Sequence, residues 1–460
     1  MLQHYRKVGY AMKRHIADGL EQYLSKDMKP WHMPGHKRKG IGCTLDDIYK
    51  FDMTEVSGVD DLHNPEEMIL KSQEQLAKIY NTFASYYMVN GSTGGILSAI
   101  GAVAEKKSSD KAGQIIIARN CHKSVYNACE IFGLKPKYLE PEYINLGEGF
   151  TSHIYGEITP EQLKNTLEAN PDVVAVVITS PTYEGVVSDI AGIKNVLQSY
   201  NVPLIVDEAH GAHLPFIFEL PKSAVSDGAD IVVQSLHKTL PALTQTAIIH
   251  VNNEELNKSV KKYLSIFMSS SPSYPMLCSM EEAVVASYER MIAGNYKSYI
   301  GSLRDFRESV SSLENIRLLG NLQVESAYDE TRIVFYSSYS GELFARMLRE
   351  MGNIEVEMSG TNYVVLISTF MDEPEDFEHL ARIIKLIDKE FDSDDFREKC
   401  NDEATFSKEE LHELVGTVVE DNIYVYPPGS YIVAAGEKIS KEAIDKIIEL
   451  KASGKKIIGL

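Results

Sequence analysis

The sequence predicts an α/β fold: a large domain with a mainly parallel sheet, a smaller α+β domain and a C-terminal α+β unit. Three observations predict it. From Pro65 onward, short apolar runs alternate with stretches of helical period, the pattern of strands joined by crossover helices. The run Val173–Thr179 is apolar at nearly every position, as a parallel strand buried on both faces must be. Beyond about residue 316 the order becomes strand, strand, helix, strand, strand, helix, which suits a separate α+β layer.

Taken in order, residues 1–64 carry turn signals but no long apolar period. Pro34 and Gly35 in MPGHKRKG (33–40) exclude a helix or strand interior, so this stretch reads as an N-terminal arm packed on another surface. Residues 65–280 form the predicted large domain. Ile69, Leu76, Tyr80 and Phe83 share one helical face, and Pro65 suits its first turn. A short strand at 86–89 leads through Asn90-Gly91-Ser92-Thr93-Gly94-Gly95 into an apolar-striped helix ending near Glu105. A strand over 114–118 comes next. Thr159-Pro160-Glu161-Gln162 is a capping box with proline at the first helical position, so a helix starts there. After Val173–Thr179, Asp189 can cap the next helix, and apolar segments at 203–206, 230–233 and 246–251 complete the sheet.

A helical region beyond residue 280 breaks near Gly294 and leads into connecting helices and the small domain, 281–395. FDSDDFREKCNDE (391–403) holds six acidic and two basic residues and reads as a solvated linker or helix face. The C-terminal unit, 396–460, has a turn at YPPGSY (426–431) and a helix over about 440–453.

With 460 residues, 44 % of them apolar and 24 % charged, the chain can build such cores without disulfide staples. Lys+Arg is 46 against 66 Asp+Glu, a formal charge of −20, which argues against nucleic acid or an anionic membrane as partner. The N-terminus is polar with no signal-peptide core, and no apolar run approaches the ~20 residues that cross a bilayer. Five cysteines with no C-x-x-C pair read as free thiols, so a cytoplasmic location is expected.

In an open parallel sheet, ligands bind at the carboxyl ends of the strands. After the first strand comes the NGSTGG loop, where glycines and a helix N-terminus can cradle a phosphate, with Ser92 and Thr93 adding hydroxyls. After the strand over 114–118 comes Arg119-Asn120-Cys121-His122. After the strand over 203–206 comes Asp207-Glu208-Ala209-His210, a DEAH run that lacks the G-x-x-x-x-G-K-[ST] loop a helicase needs. After the strand ending near Val233 comes Gln234-Ser235-Leu236-His237-Lys238. His210 and His213 are too few for a zinc site, and no metal is expected. A phosphate cradle, an acid, a lysine and a flat ring at one sheet edge are the parts that hold pyridoxal 5′-phosphate. The lysine forms a Schiff base with the aldehyde, and the acid keeps the pyridine nitrogen protonated so the ring can take up electrons.

The chain resembles the ornithine/lysine/arginine decarboxylase family of pyridoxal-phosphate enzymes, which have the aspartate-aminotransferase-like fold (fold type I). The matching segments are HMPGHK (32–37), DMTEVSGVDDLHNP (52–65), NGSTGG (90–95), RNCHKS (119–124), SPTYEG (180–185), DEAHGAH (207–213), QSLHKTLPALTQ (234–245), SSSPSY (269–274) and YPPGSY…GE (426–437). Larger bacterial members carry an N-terminal receiver-like domain, so this chain looks like the short form. The resemblance implies that Lys238 bears the cofactor, Asp207 faces the pyridine nitrogen and His122 stacks on the ring. It implies that Ser92, Thr93, Gly94, Ser235 and His237 hold the phosphate, and that Thr182 and His210 lie near the ring hydroxyl or the substrate. Ser269 or Ser270 would reach the phosphate of a neighbouring subunit in a homodimer with shared sites. Glu437 would meet the side-chain cation of a basic amino acid, the substrate of a polyamine-related decarboxylase. Tyr431 and Ala435 stand where the family has proline, and HNPEEMI (63–69) lacks the usual glycine, which puts the substrate in question. The alternatives are an aminotransferase or Cβ lyase on the same cofactor, and a catalytically silent homologue acting as a regulatory module. The glycine loop is not G-x-G-x-x-G, which disfavours a dinucleotide-binding dehydrogenase.

Overall fold

The computed structural model describes residues 12–105, 113–147, 154–320, 323–324, 326–391, 411–419, 422–426, 430–452 and 455–460. The chain is α/β. Its strands run β1 (Ala84–Met88), β2 (Gln114–Ala118), β3 (Lys135–Leu139), β4 (Val173–Thr179), β5 (Val186–Val187), β6 (Leu204–Asp207), β7 (Ile231–Ser235) and β8 (Ala247–Val251). Seven of these build the central sheet in the order β1-β8-β7-β6-β4-β2-β3. Neighbours are parallel except that β8 runs antiparallel to both β1 and β7. The inner strands are buried along their length: Ile115, Ile116 and Ile117 in β2, Val176, Val177 and Ile178 in β4, Ile231, Val232 and Val233 in β7. Helix Gly91–Ala104 lies across the sheet. A Cβ at Gly95 would come 2.8 Å from Val233 Cγ1, and one at Gly101 2.7 Å from the Tyr263 ring, so glycine is what lets this helix approach its neighbours.

The remaining strands are β9 (Ile316–Leu318), β10 (Ala327–Tyr328), β11 (Arg332–Ser337), β12 (Met358–Ser359), β13 (Tyr363–Ile367), β14 (Ile423–Tyr426), β15 (Ser430–Val433) and β16 (Lys456–Ile458). They form a four-stranded antiparallel sheet, β12-β13-β11-β9, and a three-stranded one, β15-β14-β16. A two-stranded ladder, β10 with β5, ties the loop after β4 to the segment entering β11.

Several expectations hold in detail. The Thr159 capping box is complete, Asp189 accepts from Gly192 N–H, and Gly294 ends helix Tyr274–Ala293 in the left-handed conformation. Others need correction. The N-terminal arm contains a helix, His15–Ser25, whose first N–H groups (Ile16, Ala17) donate to the carboxylate of Glu281 at 2.9 and 3.1 Å. Its cap comes from a residue far along the chain, so no local signal marks it. Helix Met68–Tyr80 begins three residues after Pro65, because Asp60 accepts from Glu67 and Ile69 N–H and sets the start. Phe83 lies past its end, which Asn81 closes in the left-handed region, and is exposed. Strand β3 and helix Lys123–Ile131 are additional to the elements the sequence predicts. Most of the acidic run 391–403 and residues 427–429 of the YPPGSY turn lie outside the described residues. Among the described residues, no helix is long and apolar enough to cross a membrane.

Candidate active site

At the carboxyl ends of β4, β6 and β7 lies a cavity of about 400 Å³. The sheet supplies its floor. β6 ends on Asp207, which is buried and accepts from Ala209 N–H at 3.2 Å through Oδ1. β7 runs into the short helix Leu236–Thr239, which presents Lys238. The Lys238 amine lies 2.9 Å from His210 Nε2. Burial lowers the pKa of Lys238, with Asp207 opposing, and burial followed by the charge of Lys238 holds His210 well below the usual imidazole range. A lysine whose amine is easily freed of its proton is suited to act as a nucleophile.

The remaining expected groups divide. Ser92 and Thr93, in the first turn of helix Gly91–Ala104, line the cavity, as do His122 and Thr182. His122 caps helix Lys123–Ile131, its Nδ1 accepting from Ser124 N–H at 3.2 Å. This fixes the ring, and burial lowers its pKa. Gly94, Ser235 and His237 are not among the lining residues; Ser235 is fully buried and His237 Nδ1 bonds the Thr246 carbonyl at 3.0 Å. Buried polar atoms with no partner among the described residues include Ser235 Oγ beside the lysine helix, and Asn120 Oδ1, Thr179 Oγ1 and Thr361 Oγ1 of lining residues. Buried polar groups in folded proteins are nearly always paired, so these atoms fit a polar ligand held here.

Ser269, Ser270 and Glu437 are not in this lining. Ser269 and Ser270 are exposed, and Ser269 N–H donates to Asn90 Oδ1 at 3.2 Å, beside the start of the glycine-loop helix. Glu437 is paired with Arg119, 3.3 Å from each carboxylate oxygen.

Much of the outer wall was not anticipated. Tyr183 and Glu184 follow Thr182; Ser359, Gly360, Thr361 and Tyr363 come from the four-stranded sheet; Val425, Tyr431, Ile432 and Lys446 come from the C-terminal unit. Tyr431, the departure from the family's proline, stacks on Tyr126 with ring centroids 4.1 Å apart. Glu184 is the one acid besides Asp207 among these lining residues. Its Oε1 accepts from Tyr363 O–H at 2.8 Å, and burial raises its pKa. Lys446 reaches the same wall but is held by the hydroxyls of Tyr143 and Tyr155, at 2.9 and 2.8 Å.

Comparison with known proteins gives a consistent result. The family described as "Orn/Lys/Arg decarboxylase, major domain" matches residues 16–344. An uncharacterized Bacillus subtilis protein, YaaO, is 31% identical, covering 95% of this chain and 94% of its own. An arginine decarboxylase of the same organism is 30% identical, covering 96% and 94%. The fold matches the crystal structure of the Francisella novicida lysine decarboxylase LdcF with a TM-score of 0.80 at 19% identity, covering 97% of this chain and 79% of that one.

Proposed function

Because this chain belongs to the ornithine/lysine/arginine decarboxylase family, an amino-acid decarboxylase family dependent on pyridoxal 5′-phosphate, we propose that it decarboxylates a basic amino acid to the corresponding amine and carbon dioxide. The observation that carries the reading is the meeting of Lys238, His210, Asp207, His122, Ser92 and Thr93 around one cavity. In this reading Lys238 holds the cofactor covalently and Asp207 keeps its ring nitrogen protonated. His122 covers one ring face, while Ser92, Thr93, Ser235 and His237 take the phosphate. The cofactor supplies a ring that accepts the electron pair left at Cα when carbon dioxide departs.

The chain's own groups do the rest. His210, held neutral, can pass a proton to or from the Lys238 amine across 2.9 Å. Met358, Val425, Tyr431 and Ile432 give part of the cavity wall an apolar and aromatic surface. For the substrate's side-chain cation the cavity offers Glu184. A buried carboxylate that is met by a neutral phenol gains most from an added cation. Glu184 therefore takes the role that the family resemblance assigned to Glu437, whose charge is already met by Arg119. The protein is further read as a homodimer in which the exposed Ser269 and Ser270 reach the neighbouring subunit's phosphate site. The test of function is an assay of carbon dioxide and amine released from single amino acids; a 2-oxo acid in place of the amine would point to an aminotransferase.

A further inference from the structure

A fully buried arginine, Arg332, stands behind His210 and is absent from the cavity lining. It opens β11 of the four-stranded sheet. Its Nη2 donates to the His210 carbonyl at 2.7 Å and lies 3.4 Å from His210 Nδ1. We infer that Arg332 is a positioning residue: it fixes His210 as the tautomer that carries its proton on Nε2, aimed at Lys238.

A guanidinium can only donate hydrogen bonds, so the imidazole nitrogen facing it must be bare. A neutral ring then has its proton on Nε2, the nitrogen 2.9 Å from Lys238 Nζ. The contact to Nδ1 is long, and the shorter bond to the His210 carbonyl is what keeps the guanidinium in place. The arginine is closely packed, and its Nε and Nη1 have no hydrogen-bond partner among the described residues, so Nη2 carries its polar contacts. Gly185, in the left-handed region at φ +103°, passes so close that a Cβ there would lie 2.8 Å from Arg332 Cβ. Asp329, three residues earlier and fully buried, interacts electrostatically with Arg332 without bonding it directly. Its Oδ1 accepts from Thr331 O–H at 2.7 Å and its Oδ2 lies 3.1 Å from His213 Nε2. Burial pushes the Asp329 carboxyl up, but His213 and Arg332 outweigh it and bring it down to about 2, so it stays ionised. Lys238 and His237 of the lysine helix, His122, Arg332 and the Tyr183 ring, 4.5 Å away, all face His210. The charged ones among them disfavour a second proton on His210.

The inference rests on the proposed function only in taking Lys238 as the catalytic lysine. The test is ¹⁵N-histidine NMR on the holoenzyme, with His210→Gln identifying the signal. The expected result is an Nε2–H tautomer that does not titrate between pH 5.5 and 8.5. In Arg332→Met the signal should titrate in that range or move its proton to Nδ1, and the acid limb of kcat/KM should rise by about one pH unit. Arg332→Lys, which keeps a donor, should restore the tautomer. An Nδ1–H tautomer in the unaltered protein overturns the inference even if Arg332→Met does not fold. So does a folded Arg332→Met protein whose His210 signal is unchanged. Failure of the decarboxylase reading would instead appear as absent carbon dioxide release with the tautomer as expected.

Discussion

Arg119 donates from Nη1 to both carboxylate oxygens of Glu437, and from Nε to Glu140 at 3.0 Å. Its guanidinium lies over the Tyr138 ring, 3.5 Å from the centroid. The contact joins the C-terminal unit to the edge of the central sheet, and it takes up the charge of Glu437. Glu437→Gln should therefore leave kcat/KM for the best basic substrate within about two-fold, roughly 0.4 kcal/mol. The change should cost stability instead, at the level of a part-exposed ion pair, about 0.5–1 kcal/mol. Steady-state kinetics beside thermal unfolding separates the two; a large kinetic loss with unchanged melting would return the substrate role to Glu437.

Glu184→Gln tests the other half of that assignment. Removing the charge while keeping the shape should cost on the order of 1.5–3 kcal/mol, a roughly ten- to hundred-fold fall in kcat/KM for a basic substrate. The loss should disappear for a neutral amino acid of similar length, and the cofactor absorbance should not change. An equal loss for both substrates would assign Glu184 a structural role through Tyr363.

Sharing of sites between subunits predicts complementation. Lys238→Ala chains mixed and refolded with chains carrying both Ser269→Ala and Ser270→Ala should form hybrids with one intact site. Activity should then exceed the sum of the separate variants. An active monomer at low protein concentration would contradict the shared-site dimer.

Buried titratable groups predict a balance in stability against pH. Glu208 accepts from Ser223, Ala224 and Gln234, yet burial pushes its pKa up to about 7. Gln234 also bonds His250, whose pKa burial lowers to about 3. Between pH 4.5 and 7 the folded state holds the Glu208 proton more tightly than the unfolded chain, so this group favours folding as pH falls. His250 acts oppositely below pH 6.5, because only the unfolded chain takes up its proton. Glu208→Gln removes the first slope, so its melting temperature should drop from pH 6.5 to pH 5 more steeply than that of the unaltered protein. Parallel melting curves across that interval would show that Glu208 does not hold its proton in the folded state.

The central sheet was legible because its strands are buried on both faces and so read as unbroken apolar runs; the expected bounds of β2 and β4 match the structure residue for residue. β3 escaped notice because it is an edge strand, KPKYL, only partly buried and carrying a proline. Helix His15–Ser25 escaped because Glu281 caps it from a distant segment. The same division holds at the cavity. Asp207 and Lys238 sit at or just past strand ends, where an open parallel sheet places its ligand-binding groups, and their positions are readable from the apolar runs alone. Glu184, Tyr363 and Arg332 reach the site or its support only because β5 pairs with β10 and brings the four-stranded sheet against the loop after β4. That juxtaposition leaves no local pattern.

Every role assigned to the cavity depends on Lys238 being the residue that holds the cofactor. The direct measurement is borohydride reduction of the purified holoenzyme, then protease digestion and mass spectrometry. The account predicts one reduced pyridoxyl-phosphate adduct per chain, on Lys238. An adduct on Lys123, Lys446 or Lys455, the other lysines lining the cavity, would contradict it.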